Sequence, residues 1–464
     1  MPDFVIMPKV ILGVWEDGGK MFTCITLKNF KSFKDVSIDF SAKKKEAKKL
    51  AIIYGINGSG KTTITQAFLL LKRTIETMEV RGVLNDLLDE KITPPEDFPF
   101  KQDVMLKMLK TRLSMNGIEN IIGNYKMVGS TENMSVEYQF LINGNQGSYY
   151  IEMDDTSIVK ERLEFKLSKR RGCYFNLEDD EININNRIFE SKEFYDLVHK
   201  QAKMYWGKHS MLSILLFEMA DKSDTFINSN ISKNLMDVLI NLSNIEFKYV
   251  SGKENSADDS ILANLQLGSV EKSEESRLDQ VEGILDSIFK SIFKDVSKVF
   301  YQRHVDGDKI GYRLYLRKKI EDKEFDIDFS LESSGTKEIL RLIPSFVAAA
   351  SGKCVVIDEY GTRIHDLLSA KLLEAVSKQI TGQMIMTTHN TMIMECDNLL
   401  PESLYFIVDD KTFKKSVKCV DEIEERLHPN YNYRSRYLTN DLYKQSLPDI
   451  IGDVDLSGLV NIFK

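Results

Sequence analysis

One short segment has the composition of a phosphate-binding loop. It reads GINGSGKT over residues 55–62 and fits the pattern G-x-x-x-x-G-K-[ST]. Its glycines let successive backbone N–H groups curl around phosphate oxygens, and the helix that follows directs its positive N-terminus at the same anion. Lys61 would add a charge on the β- and γ-phosphates, and Thr62 would offer a hydroxyl to Mg²⁺. The sequence therefore predicts a site for ATP and Mg²⁺ whose loop residues are Asn57, Gly58, Ser59, Gly60, Lys61, Thr62 and Thr63.

Two other copies of the tripeptide SGK serve as internal controls. They occur at residues 251–253 and 351–353. Neither has a glycine five residues before its Gly-Lys pair, and neither is followed by Ser or Thr. Only the first copy also lies between a strand pattern and a helical pattern, so we expect only that copy to bind phosphate.

Acidic and imidazole side chains follow two later apolar runs. Asp358 and Glu359 follow CVVI, and His389 follows MIMTT. A carboxylate at the C-terminal edge of a parallel strand lies where ligands bind in such sheets. We expect Asp358 to hold Mg²⁺, Glu359 to act as general base on the attacking water, and His389 to contact the γ-phosphate or that water. The alternative is that His389 is a loop histidine without a function.

A Ser-Gly-Thr cluster (residues 333–336) opens another helical pattern. It lies within SLESSGTKEIL, residues 330–340, where Ser334 is the expected N-cap. Backbone N–H groups at a helix N-terminus opened by Gly335 suit a γ-phosphate. The candidate nucleotide contacts therefore also include Ser333, Ser334, Gly335 and Thr336.

The elements around these motifs predict an α/β fold. Apolar strand patterns alternate with helical ones at residues 50–75 and again at 336–408, as in a parallel sheet covered by helices. Hairpin patterns lie at residues 136–175, with a turn at Asn143-Gly144, and at residues 309–329. Helical patterns are predicted for VMLKMLKTRLSM and for residues 278–300, and SGKENSADDS is predicted to be a polar loop. We divide the chain into an N-terminal extension (1–21), an N-terminal lobe of the core (22–75), a mainly helical, lid-like insertion that carries both hairpins (76–325) and a C-terminal lobe of the core (326–464).

The composition indicates a globular chain without a membrane segment. The 464 residues are 42% hydrophobic and 28% charged, and no apolar run approaches 18 residues. The first residues lack the basic region, apolar core and cleavage site of a signal peptide. Five scattered cysteines without a C-x-x-C pair argue against a disulfide framework and against a zinc site. We therefore expect a cytoplasmic protein with no membrane partner.

Together the motifs resemble the ABC-type ATPase heads of the SMC, Rad50 and RecF proteins. ITLKNFKSFKDVSIDF resembles their opening strands, LESSGTKEIL their signature motif, VVIDE their second nucleotide motif and TTHN their switch histidine. The resemblance implies an ABC-ATPase head with a mixed sheet and a phosphate-loop core, which hydrolyses ATP with Mg²⁺. It also implies that Ser334 and Gly335 act in trans on the γ-phosphate of a second copy, in a dimer or higher oligomer.

The resemblance extends to the AAA ATPases of bacterial abortive-infection and phage-defence systems. Those typically read E-S-S-G-T-K, L-H-P, T-T-H-D and Y-L-x-G-x-Y-G-x-x-P, and the tail here is a variant, RSRYLTNDLYKQSLPDI. The segment YGTRIHDLL after Glu359 lacks the usual aspartate and proline but keeps His365. In its length and its single head, the chain is most similar to the ATPase subunits of the phage anti-restriction-induced system, PARIS. That resemblance implies an oligomer that holds an effector, a Toprim-type nuclease, until a phage-encoded trigger protein releases it.

The alternative is a DNA-repair ATPase of the RecF or Rad50 kind that acts directly on DNA. The first basic stretch (KLSKRR, 166–171) and the second basic stretch (YRLYLRKK, 312–319) mix basic with hydrophobic or aromatic residues. A solvated strand face is the favoured explanation for each stretch. The net charge of −8 is unusual for a protein that binds nucleic acid non-specifically. The insertion (76–325) also lacks the sustained heptads of a Rad50-like coiled coil. A transporter ATPase is disfavoured by the signature sequence and by the large insertion.

Overall fold

The structure is a computed structural model that describes residues 21–42, 46–78, 117–220, 222–248, 261–410, 412–423 and 432–439. Its strands are β1 (Phe22–Phe30), β2 (Phe33–Asp39), β3 (Ser41–Ala42), β4 (Glu46–Ala47), β5 (Leu50–Tyr54), β6 (Met134–Ile142), β7 (Asn145–Met153), β8 (Ile158–Lys166), β9 (Arg171–Glu178), β10 (Glu181–Ile184), β11 (Glu246–Lys248), β12 (Leu267–Glu271), β13 (Val296–Asp306), β14 (Lys309–Ile320), β15 (Lys323–Asp328), β16 (Cys354–Ile357), β17 (Gln383–Thr387), β18 (Leu404–Asp409) and β19 (Lys415–Cys419). Its α-helices are α1 (Lys61–Ile75), α2 (Ile118–Tyr125), α3 (Lys192–Tyr205), α4 (Met211–Ala220), α5 (Asp224–Asn230), α6 (Lys233–Ser243), α7 (Glu275–Ile292), α8 (Ser334–Ala350), α9 (Asp366–Ser377), α10 (Val420–Ile423) and α11 (Tyr433–Leu438). The predicted mixed α/β class is confirmed. Within these described ranges, no helix is both long and apolar enough to span a membrane.

A six-stranded sheet lies at the centre of the fold. Its order is β11-β16-β17-β5-β18-β19, and only β19 runs antiparallel to its neighbour. β5, β16 and β17 are buried along their full length, which explains their continuous apolar sequences. Alternate residues of β5 face opposite ways, so that Ile53 packs in the core that includes α1 and Ile52 in the core that includes α8.

A seven-stranded antiparallel sheet continues from the N-terminal strands. Its order is β10-β9-β8-β7-β6-β1-β2. The predicted turn at Asn143-Gly144 is confirmed, with φ of 50° and 70° at these residues, as a tight hairpin requires. Because β6 pairs with β1, with Tyr138 opposite Ile25, the predicted hairpins at 136–175 extend the sheet of the N-terminal lobe across the boundary drawn at residue 75.

The insertion (76–325) also forms a second antiparallel sheet. Its order is β12-β14-β13, and β15 pairs with the β14 strand. The predicted hairpin at 309–329 is confirmed as β14 and β15. The helical pattern predicted over residues 278–300 was wrong at its end, because α7 stops at Ile292 and β13 begins at Val296, where pairing with β14 takes over. β11 joins the central sheet beside β16, so residues 76–325 supply strands to all three large sheets. The division of the chain into the four ranges 1–21, 22–75, 76–325 and 326–464 stays a prediction.

Several sequence expectations lie outside the described residues. They are most of the N-terminal extension, the helical pattern VMLKMLKTRLSM, the polar loop SGKENSADDS and most of the tail that follows α11.

One buried amide ties the first strand to the C-terminal half of the central sheet. The Oε1 atom of Gln383, at the start of β17, accepts a hydrogen bond from the Phe22 N–H at 2.9 Å. Its Nε2 atom donates to the carbonyl oxygens of Phe22 at 2.8 Å and Lys48 at 3.1 Å. Gln383 is fully buried, and these bonds join it to Phe22, 361 residues away in the chain, and to Lys48, 335 residues away.

Candidate active site

Three neighbouring strands end at the same edge of the central sheet. β16, β17 and β5 run parallel, side by side, and lead into the carboxylate pair, the predicted switch histidine and the phosphate loop (residues 55–62), respectively. The carboxyl ends of parallel strands are where ligands bind in open α/β sheets. The charges of Asp358 and Glu359 act on both Lys61 and His389, so the fold brings these four predicted residues together.

The phosphate loop makes a sharp turn from β5 into α1. Gly58 and Gly60 have φ of 79° and 117°, a region that glycine adopts without a steric penalty. A Cβ on Gly60 would lie 2.8 Å from the ring of Phe33, because the turn between β1 and β2 packs on the loop. No side chain caps α1, so the N–H groups of its first turn are open to a ligand.

The other predicted loop residues differ in exposure. Asn57 and Gly58 are exposed at the tip of the loop, whereas Ser59 and Thr63 are buried beneath it. Thr62 is half-buried in the first turn of α1. This arrangement leaves the backbone of the tip and the Thr62 hydroxyl as the groups that can meet a phosphate and its metal ion.

The Lys61 side chain turns back into its own loop. Its Nζ atom donates to the carbonyl oxygens of Gly55 at 2.8 Å and Ile56 at 3.1 Å. Burial lowers the pKa of Lys61 to about 8, although the charges of Glu359 and Asp358 act in the opposite direction. The ammonium group therefore lies where phosphate oxygens could replace the two carbonyl acceptors.

A threonine that the motifs did not single out joins the two carboxylates. Thr387 is fully buried at the end of β17. Its Oγ1 atom donates to Asp358 Oδ1 at 2.6 Å and accepts from the Glu359 N–H at 2.8 Å. The signal in the sequence was a polar residue at the end of the apolar run MIMTT, where it faces the carboxylate strand.

Glu359 has an unusual backbone conformation. Its φ is 56°, in the left-handed region that residues with a side chain adopt rarely and at a cost. The hydrogen bond from its N–H to Thr387 and the bond from the Tyr360 N–H to the Thr387 carbonyl, at 2.8 Å, hold this turn in place. Such strained residues are concentrated at functional sites, which agrees with the role predicted for this carboxylate.

His389 lies exposed on the loop after β17. Partial burial of the ring lowers its pKa and the charge of Lys61 lowers it further, although the charges of Glu359 and Asp358 act in the opposite direction. Thr388 Oγ1 donates to the Tyr360 carbonyl at 2.8 Å, and Asn390 Nδ2 donates to the Asp366 carbonyl at 2.7 Å. Both neighbours of His389 in the sequence are therefore bonded to the segment that follows Glu359.

The Ser-Gly-Thr cluster lies at the N-terminus of α8. The prediction that Ser334 is the N-cap was wrong by one residue: Ser334 is already the first residue of α8, and Ser333 Oγ accepts from the Thr336 N–H at 3.1 Å. A Cβ on Gly335 would lie 2.8 Å from the carbonyl oxygen of Arg363, so the cluster packs on the loop that begins at Glu359. In the described part of the chain, no hydrogen bond or ion pair joins the cluster to the phosphate loop.

The donor set of the site suits a nucleotide and Mg²⁺. The uncapped N–H groups of α1 and the Lys61 ammonium are complementary to phosphate oxygens. Thr62 and Asp358 offer the oxygen ligands that Mg²⁺ prefers. No group of three His, Cys, Asp or Glu residues among those described could hold a metal ion without help. A magnesium ion at Thr62 and Asp358 would therefore complete its coordination with phosphate and water.

The two basic stretches lie in different sheets. The first follows β8 in the seven-stranded sheet, and the second lies in β14 of the other antiparallel sheet. Arg171 pairs with Glu164 at 2.8 Å, and Arg317 pairs with Asp326 at 2.7 Å. Acidic partners of this kind reduce the positive potential that would attract DNA, so these contacts favour solvated strand faces.

Known families match the chain across this whole site. Residues 50–395 match the family model described as "AAA domain, putative AbiEii toxin, Type IV TA system". The matched range is more than half of the chain and contains every predicted site residue. The chain belongs to this AAA domain family. Residues 24–72 of this AAA domain protein also match a second model, described as "AAA domain".

Two solved SMC heads are similar to this AAA domain protein. The SMC head domain from Thermotoga maritima is 14% identical, with a TM-score of 0.33, over 86% of this chain and 98% of that chain. The Smc head domain from Pyrococcus furiosus, with an extended coiled coil and bound to the C-terminal domain of ScpA, is 14% identical, with a TM-score of 0.38, over 86% and 97%. No curated protein sequence matches the chain.

Proposed function

We propose that the protein is an ATPase that hydrolyses ATP to ADP and phosphate with Mg²⁺. The observation that carries this proposal is the convergence of Lys61, Asp358, Glu359 and His389 at one edge of the central sheet. Membership of the AAA domain family supports it.

Each residue has a role that follows from its place. The N–H groups of the phosphate loop and the Lys61 ammonium bind the β- and γ-phosphates. Glu359 accepts a proton from the attacking water, and His389 donates a hydrogen bond to the γ-phosphate. Magnesium held by Thr62 and Asp358 would supply positive charge against the phosphates.

Replacing Glu359 tests the catalytic assignment. We expect Glu359→Gln to bind ATP as the wild type does but to turn over about 10²–10⁴ times more slowly, because an amide cannot accept the proton. Phosphate release and calorimetric ATP binding measure the two effects separately. Glu374→Gln, whose carboxylate pairs with Lys371 of α9 and not with a predicted site residue, is the matched control and should leave both unchanged. Unaltered turnover in Glu359→Gln would remove the general base from the mechanism.

We also propose that the Ser-Gly-Thr cluster completes the site of a second copy. Among the described residues, no hydrogen bond or ion pair joins the cluster to the phosphate loop of its own chain, and Ser333 and Ser334 are exposed. The functional unit is then a dimer or higher oligomer in which Ser333, Ser334, Gly335 and Thr336 act in trans.

A mixing experiment tests the shared site. Lys61→Ala disables the phosphate loop, and Ser334→Asp places a negative charge at the exposed cluster, so each variant alone should lose ATPase activity. In a mixed dimer, one of the two sites combines an intact loop with an intact cluster, and the mixture should regain activity. If the mixture stays inactive while the wild type keeps its full rate as a diluted monomer, the site is not shared.

The biological role that we propose is control of an effector in antiviral abortive-infection defence, in the cytoplasm. The matched family description names a toxin of a toxin–antitoxin system, and the motifs resemble the ATPase subunits of PARIS. The partners are then a Toprim-type nuclease and a phage-encoded trigger. Copurification with the product of the neighbouring gene tests the role: we expect an ATP-dependent complex that Lys61→Ala does not form. A neighbouring gene for another kind of effector would contradict the Toprim assignment.

A further inference from the structure

The hairpin of β18 and β19 reaches the same sheet edge as the phosphate loop. β18 runs parallel to β5, so its C-terminal residue, Asp409, lies at the edge where β5 enters the loop. Asp409 is directly opposite Lys415, the first residue of β19. Directly opposed residues of an antiparallel pair project from the same face of a sheet, so both side chains leave the hairpin on one side.

That side of the hairpin faces the phosphate loop. Ile407, which shares a face with Asp409 because it lies two residues earlier, has its Cβ 3.3 Å from the position of a Cβ on Gly55. Lys415 Nζ donates to the carbonyl oxygen of Gly58 at 2.9 Å. The hairpin therefore touches both the start and the tip of the loop.

Asp409 has an unsatisfied oxygen at this place. Its Oδ1 atom is buried and has no hydrogen-bond partner among the described residues. Buried polar atoms in folded proteins are nearly always hydrogen-bonded, and an exception calls for an explanation. The oxygen atoms of a carboxylate accept hydrogen bonds, so the missing partner is a donor.

The strand order indicates which part of a nucleotide would supply that donor. β17 and β16, which lead to His389 and Glu359, lie on one side of β5, and β18 lies on the other. A nucleotide whose γ-phosphate meets His389 and Glu359 therefore directs its nucleoside toward β18. A carboxylate repels phosphate, but it accepts hydrogen bonds from ribose hydroxyls and exocyclic amines.

We propose that Asp409 and Lys415 form the nucleoside end of the nucleotide site. Asp409 accepts a hydrogen bond from a hydroxyl or amino group of the nucleoside, and Lys415 holds the tip of the phosphate loop through Gly58. This inference rests on the proposed function, since it needs a nucleotide bound at the phosphate loop.

Two ligands separate the nucleoside from the phosphates. MgATP has both parts, whereas magnesium tripolyphosphate has only the phosphate chain, and calorimetry gives the affinity for each. Asp409→Leu should weaken MgATP binding about tenfold, the value of one lost hydrogen bond, and leave tripolyphosphate binding unchanged or tighter. Lys415→Gln should weaken both ligands alike, because it loosens the loop. Lys418→Gln changes an exposed lysine of the same strand, three residues away, and should affect neither ligand.

Thermal unfolding without ligand distinguishes this role from a structural one. Asp409→Leu removes an unsatisfied buried oxygen, so its melting temperature should equal or exceed that of the wild type. The inference is overturned if Asp409→Leu weakens both ligands equally, weakens neither, or lowers the melting temperature together with affinity. If the wild type binds neither ligand, or if Lys61→Ala binds both normally, the proposed ATP site itself fails.

Discussion

Two helices of this protein begin with similar residues but have different N-termini. α1 opens with Gly60-Lys61-Thr62, and α8 carries Gly335-Thr336-Lys337 in its first turn. No side chain caps α1, whereas Ser333 caps α8 and its Oγ also lies 2.8 Å from Thr336 Oγ1. The N-terminus of α1 is thus open within one chain, and that of α8 is partly satisfied by its own serine.

The difference shows that composition alone does not identify a phosphate site. Both clusters supply glycine, hydroxyl groups and a lysine, but only at α1 do left-handed glycines turn the loop over the helix end and place the lysine inside it. The α8 cluster packs on the loop after Glu359 instead, and it meets a phosphate only if another molecule provides one.

The largest effect is expected when the lysine at each helix N-terminus is replaced and the two variants are compared. Lys61→Ala should weaken MgATP binding about 100-fold or more, because it removes a buried charge from the phosphates. Lys337→Ala, in the first turn of α8, should leave binding to a dilute single copy unchanged. Calorimetry at low protein concentration measures both. Equal losses would mean that the two helix ends are equivalent.

A smaller effect is expected at the threonine beside the α1 site. Thr387→Val keeps the shape of the side chain but removes the bonds to Asp358 and Glu359, so kcat should fall about 10- to 100-fold through misplacement of the carboxylates. KM should change little, and Thr387→Ser should restore most of the rate. A loss in KM alone would assign Thr387 to nucleotide binding instead.

The pH dependence of MgATP binding tests the role of the Lys61 charge at the N-terminus of α1. Phosphate raises the pKa of Lys61 above its value of about 8 in the free protein, so binding takes up a proton only when the pH exceeds 8. MgATP affinity should therefore be constant below pH 8 and fall by up to about tenfold per pH unit above it. Lys61→Arg should remove this dependence if it binds at all, and a fall that persists in that variant would point to another group.

The smallest effect is expected at the cap of α8. Ser333→Ala should lower the free energy of unfolding by about 1 kcal/mol, whereas the exposed Ser334→Ala should change it by less than about 0.5 kcal/mol. Neither should alter ATP affinity in a single copy. Denaturant unfolding of both variants decides which serine caps the helix.

Local patterns were enough to predict most elements and the centre of the site. The glycine spacing of the loop and the polar residues after CVVI and MIMTT depend on short segments, and the structure gathers them at one edge. Thr387, Asp409 and Lys415 were missed because their contacts depend on which strands are neighbours. Strand order is set by packing between distant segments, and periodicity within one segment does not contain it.

Contacts between distant segments also explain why some element boundaries were predicted wrongly. β11 has three residues, too few for a periodic signal, yet it pairs with the carboxylate strand. The end of α7 was missed because Val296 continues an apolar pattern that suits either a helix or the strand that β14 selects. Ser333 and Ser334 are chemically identical neighbours, and only the backbone conformation decides which of them is the cap.

The buried amide of Gln383 has a consequence for biosynthesis. Its three hydrogen bonds to Phe22 and Lys48 cannot form until 361 further residues have followed Phe22 from the ribosome, which takes roughly 20 to 70 s at the usual rates of translation. Throughout that time, the backbone of Phe22 at the start of β1 lacks its hydrogen bonds to β17. We therefore expect nascent chains that stop before β17 to need chaperones, and the candidate active site to assemble as one of the last parts of the fold.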